Sequence, residues 1–215
     1  MTSPRTRCTR CAAAMVGGTA SVMAALLLRR HALRWGATDD EVAMTVPGDR
    51  TLDRAELVAT RAISIAASPS EVWPWIAQLG QGRGGFYSYD ALENLLGCDI
   101  HSADAIVPAW QHIAVGDEIR LAPTVSLTVA HVDPGRAIVL RGGPPMGPVS
   151  APYDFTWAFV LIDQPPGGSR LLVRERYQYL NWWSALVVEP VELVSLVMTQ
   201  RMLRGIRDRT CQAQP

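Results

Sequence analysis

From Glu118 to Leu180 the sequence alternates like a run of strands, and it then passes directly into one long helical stretch. That order limits the available folds more than any other feature of the chain. The strand candidates are Glu118–Leu121, Val125–Val132, Ala137–Arg141, Tyr153–Ile162 and Leu171–Leu180, where β-branched and aromatic residues recur at every second position. Asp133-Pro134-Gly135 and Pro165-Pro166-Gly167-Gly168 supply turns, so consecutive strands pair antiparallel. From Ala185 to Arg209 the period becomes helical. Val191, Val194, Met198, Met202 and Gly205 or Ile206 fall on one stripe, with Leu193, Val197 and Leu203 beside it. Arg201, Arg204, Arg207 and Arg209 gather where the helix dipole favours cations.

Ahead of this run, Leu57–Ala66 reads as a first strand. Ser68-Pro69-Ser70-Glu71 follows, with serine as N-cap, proline at the first helical position and glutamate three residues after the cap. The helix continues through Val72, Trp73, Trp75, Ile76 and Leu79, with a kink expected at Pro74. Gly80–Gly85 ends it, and a second short helix spans Tyr89–Leu96. Strand, two short helices, antiparallel strands and one long helix together predict an α+β helix-grip fold. In such a fold a curved antiparallel sheet wraps on the C-terminal helix, and a cavity lies between them.

The segments that carry this order are PSEVWPWIAQLGQGRGGFYSYDALENLLG, IVPAWQHIAVGD, YDFTWAFVL, LLVRERY and MLRGIRDR. With the first strand they resemble the START-like, or SRPBCC, superfamily of polyketide cyclases, plant pollen allergens and lipid-transfer domains, most of all an actinobacterial branch of it. The resemblance covers residues 57–210. It implies binding of apolar molecules such as lipids, sterols or polyketides, with enzymes among only some members.

Residues 57–210 are therefore the expected domain, followed by a tail at 211–215. Residues 36–56 are acidic, contain Pro47-Gly48 and read as a linker. Residues 1–35 hold an uncharged run, Cys11–Leu28, between Arg5, Arg7 and Arg10 on one side and Arg29, Arg30 and Arg34 on the other. At a spanning requirement of about 20 residues it reads as a single membrane anchor. A signal peptide or a helix lying on the domain, with the protein then cytoplasmic, are the alternatives. Balanced arginines leave its orientation open.

Twenty basic residues cancel twenty acidic ones, which argues against a nucleic-acid partner. Cys8 and Cys11 form a C-x-x-C without a second ligand pair at zinc spacing, and His101 near Asp99 and Asp104 matches no metal site. Gly80-Gln81-Gly82-Arg83-Gly84-Gly85 satisfies G-x-G-x-x-G but follows a helix, so it is not read as a dinucleotide fingerprint. It reads instead as a loop over the cavity mouth, with Arg83, Phe86, Tyr87 and Tyr89 near the entrance. No cofactor or metal is expected.

Tyr153, Phe155, Trp157, Phe159 and Leu161 share one face of their strand. Phe155 and Phe159 are expected to pack in the core, while Tyr153 and Trp157 are expected to line the cavity. On the next strand Glu175 falls on the apolar face with Leu171, Val173, Tyr177 and Tyr179, where a carboxylate needs a cation. Arg141 and Arg61 are the candidate partners. A structural ion pair is one reading, and Glu175 with Arg141 acting on a polar substrate group is the other. His131 falls in register with Val125, Leu127 and Val129, facing inward. Glu175, Arg141, His131 and Tyr177 are thus the catalytic candidates. Trp75, Phe86, Tyr87, Tyr89 and Trp110 are expected to contact ligand, as are Tyr153, Trp157, Glu175 and Tyr177. Met198 and Met202 complete that set from the long helix. Binding or transport of a small hydrophobic ligand is the leading expectation. A cyclase- or dehydratase-type enzyme and a protein-interaction domain are the alternatives.

Overall fold

A computed structural model describes residues 23–143 and 151–213. Helical residues 23–33 (α1) are followed by a short helix, Asp39–Ala43 (α2), closed by a capping box between Thr38 and Glu41. Then come β1 (Leu57–Ile65), α3 (Pro69–Ala77), α4 (Asp90–Leu95), a 3-10 turn at Pro108–Trp110, and β2 (Glu118–Ala122). The strands β3 (Val125–Asp133), β4 (Ala137–Arg141), β5 (Tyr153–Gln164) and β6 (Gly168–Tyr179) lead into α5 (Ser184–Gln212). The six strands form one antiparallel sheet in the order β1-β6-β5-β4-β3-β2. With the long helix on its inner face this is the helix-grip architecture.

Local chemistry sets most boundaries. The Glu71 carboxylate reaches back 2.8 Å to the Ser68 N–H, fixing the start of α3. The β5–β6 hairpin closes at Pro165–Gly167, so that Tyr153 opposes Tyr179 and Trp157 opposes Glu175. Because side chains alternate, Phe155, Phe159, Leu171 and Val173 enter one core with Trp75, Ile76 and Leu203.

The segment 36–56, expected to be a linker, lies on the outer face of the sheet. Val46 packs with Ala62, Ala137, Val160 and Leu172 in a second apolar cluster. Three outward arginines of β6 hold it there. Arg174 is 3% exposed and donates to Asp49 at 2.6 Å, to the Met44 and Glu41 carbonyls at 2.8 and 2.7 Å, and to Thr60 at 3.0 Å. Arg170 grips Glu41 at 2.7 Å, and Arg176 donates to the Leu52 carbonyl at 2.8 Å. The acidity that suggested a solvated linker is the complement of this arginine row. Planar guanidinium groups suit several acceptors at once.

α5 also departs from expectation. Its buried residues include Val188, Glu192, Thr199, Met202, Leu203 and Ile206, whereas Leu193, Val194 and Val197 are exposed. In its N-terminal half the inward face is thus partly polar and the outward face apolar. The reason is a charge buried in the sheet, described below.

Among the described residues no helix is long and apolar enough to cross a membrane. Most of the Cys11–Leu28 run, and the Cys8/Cys11 pair, lie outside the described residues. The end of the run opens α1, where Leu26, Leu27 and Leu28 are exposed.

Candidate functional site

Between the inner face of the sheet, α4 and α5 lies a cavity of about 240 Å³. Its walls are mostly apolar and aromatic. Tyr153, Phe155 and Trp157 come from β5, Phe86 from the loop after α3, Leu121 from β2, and Val191, Met198 and Met202 from α5. Phe155 and Tyr153 pack on Tyr177 with ring centroids 4.7 and 5.5 Å apart, and Trp157 sits 6.0 Å from Phe86.

One polar part of the wall is built on Glu175. This carboxylate accepts from Arg61 Nη1 at 3.1 Å, Tyr177 Oη at 3.1 Å, Ser195 Oγ at 2.7 Å and Thr199 Oγ1 at 3.1 Å. Arg61, 1% exposed, also donates to Glu192 and to the Ala32 carbonyl of α1. Two buried carboxylates therefore share one guanidinium. This explains the polar inner face of α5: Glu192, Ser195 and Thr199 recur at helical spacing so as to meet Arg61 and Glu175. Burial raises the Glu192 carboxyl above its ordinary range, against the opposing pull of Arg61. Burial first, and then the Glu175 carboxylate, raise the Tyr177 hydroxyl well above its usual value, so it stays a proton-bearing donor.

The structure brings together Phe86, Tyr153, Trp157, Glu175, Tyr177, Met198 and Met202. It separates the other expected residues from them. Arg141 is exposed and pairs with Asp154 at 2.7 Å, so the partner of Glu175 is Arg61. His131 is exposed because a bulge between Val129 and His131 adds one residue to β3 and reverses the alternation after it. Trp75 and Tyr87 are core residues in edge-to-face contact at 5.7 Å. The Tyr87 hydroxyl, pushed by burial to about 12, donates to the Trp75 carbonyl at 3.2 Å and accepts from Gln78 at 2.9 Å. Tyr89 is exposed, with Arg201 over its ring. Trp110 sits in the 3-10 turn, and its carbonyl accepts from Arg83. Arg83, which also donates to the Ala77 carbonyl at 2.9 Å, ties the end of α3 to that turn and does not line the cavity.

Sequence reasoning passed over Ser88, Glu93, Cys98, Leu121, Val191, Ser195 and Thr199, and it assigned Phe155 to core alone. On α5, Val191 shared the predicted stripe of Met198 and Met202, and Ser195 and Thr199 left a signal as hydroxyls at helical spacing from Glu192. Glu93 lies on the short helix expected at Tyr89–Leu96, which is too short for its period to show which face turns inward, and Ser88 and Cys98 flank it.

No family model and no curated protein matches the chain. Solved structures with a similar course of the chain include norcoclaurine synthase from Thalictrum flavum in complex with dopamine and hydroxybenzaldehyde. It is 12% identical, with 80% of this chain and 96% of that one covered, at a TM-score of 0.48. Protein Ms6760 from Mycobacterium smegmatis is 14% identical over 73% of this chain and 91% of its own, at a TM-score of 0.43. Protein MLL2253 from Mesorhizobium loti is 12% identical over 73% and 99%, also at 0.43. Function is accordingly read from this chain's own residues.

Proposed function

We propose that the domain binds a compact, largely apolar molecule in the cavity between its sheet and α5. The observation that carries this reading is the cavity itself: an aromatic-lined space of about 240 Å³ with polar groups confined to a few positions. Carriage fits the arrangement better than turnover by Glu175. Both oxygens of that carboxylate are held by donors, so accepting a substrate proton would first break a buried ion pair. Arg141, the other half of the expected catalytic pair, points away from the cavity toward Asp154.

Native mass spectrometry on the full chain tests the reading. A reproducible excess mass that organic extraction removes, and that Met198→Trp abolishes by filling the space, is the expected result. A clean apo mass, together with no uptake of small bicyclic aromatics by the wild type, would overturn it.

A further inference from the structure

Two carboxyl groups line the cavity, and they differ in one respect. Glu175 has every donor it can use. Glu93, from α4, has one: Ser88 Oγ donates to its Oε1 at 2.7 Å, while Oε2 is shielded from water and has no hydrogen-bond partner among the described residues. Its neighbours do not compensate. Asp90 is an anion whose own oxygens are taken by Ser102, with Ser102 N and Oγ each at 2.7 Å. The Cys98 thiol, also on the cavity wall, is a weak donor. Burial, with a smaller contribution from Asp90, raises the Glu93 carboxyl above its ordinary value, against the Ser88 hydrogen bond.

An unsatisfied buried oxygen costs about 1–3 kcal/mol. A wholly structural role would be better filled by leucine, since this helix already exposes Leu92 and Leu95. Functional sites commonly retain groups that cost stability. The terminal torsion of a glutamate is soft, so its carboxyl can turn toward a ligand while keeping Ser88.

We propose that Glu93 is the ligand-recognition carboxyl of the cavity, accepting a hydrogen bond from a hydroxyl on a compact aromatic ligand, a phenol or enol. The assignment rests on the cavity being a binding site, and the test separates the two ideas. Dissociation constants of 2-naphthol and its near-isostere 2-methylnaphthalene are measured by calorimetry on the full wild-type chain and on Glu93→Leu and Glu93→Gln.

In the wild type the hydroxyl compound binds more tightly than the methyl compound. In Glu93→Leu that preference falls about tenfold or more, while 2-methylnaphthalene keeps its affinity within about threefold, as expected for one lost hydrogen bond to a carboxyl group. Melting temperatures check that the variants fold, and Glu93→Leu should melt no lower than the wild type. If both compounds bind equally well, or the hydroxyl preference survives in Glu93→Leu, the role of Glu93 is refuted and the cavity still binds. If neither compound binds the wild type, the binding reading fails and the role of Glu93 falls with it.

Discussion

Replacing Arg61 by methionine would leave Glu175 and Glu192, each 2% exposed, facing one another without their shared cation. At 3.1 Å and an effective dielectric of about 20, the Glu175 contact alone is worth roughly 5 kcal/mol of attraction. Part of this is returned, because the desolvation of Arg61 disappears with it. Breaking a buried pair by removing one partner has a net cost of about 3–5 kcal/mol. With a urea slope near 2 kcal/mol per molar, the midpoint should fall by about 1.5–2.5 M at pH 7.

The loss should also depend on pH. Burial already raises Glu192 above its unfolded value, so the stability it contributes is present below that unfolded value and is lost as pH rises through the folded one. Without Arg61 the same shift grows, and the gap to wild type should narrow from pH 7 to pH 5. Adding Glu175→Gln to Arg61→Met should recover part of the loss, because one uncompensated charge goes with it. A gap below about 1 kcal/mol at pH 7, or one equal at both pH values, would refute the assignment of a buried, charged triad.

Other outcomes follow from individual contacts. Gly205→Ala should lower the melting temperature by roughly 4–12 °C in calorimetry, since overpacking of about 2–3 kcal/mol is expected. A Cβ there would stand 2.2 Å from the Tyr87 carbonyl oxygen and force α5 off the chain beneath it. The Arg170 hydrogen bond holds the Glu41 carboxyl below its ordinary 4.5, so this contact contributes stability above that pH and loses it as pH falls through the lowered value. Arg170→Met should therefore make stability fall less steeply with acid below pH 4.5 in denaturant titrations. His131→Ala and Arg141→Ala should each change stability by less than about 0.5 kcal/mol and leave 2-naphthol affinity unaltered, since both side chains are exposed and away from the cavity.

From β1 to α5 the strands and α-helices, their order and most of their boundaries were legible in the sequence, because alternation, helical period, caps and turn residues are local properties, whereas α2 fell in a segment read as a linker. The inward face of β5, the placement of Glu175 and the Ser68–Glu71 start of α3 all follow from spacing within a few residues. Arg61 was legible too, but only as one of two possible partners. The choice between it and Arg141 depends on how β1 registers with β6 across the sheet, a pairing of residues far apart in sequence.

Tertiary structure alone decided the rest. A single bulged residue in β3 turned His131 outward, and an arginine row on β6 drew residues 36–56 onto the sheet. The demand of one buried guanidinium for carboxylates set the facing of the N-terminal half of α5, so that Leu193, Val194 and Val197 are exposed. Hydrophobic periodicity describes what a segment prefers in isolation. Which face it buries is settled by the polar groups already inside, because leaving those unpaired costs more than exposing a few leucines and valines.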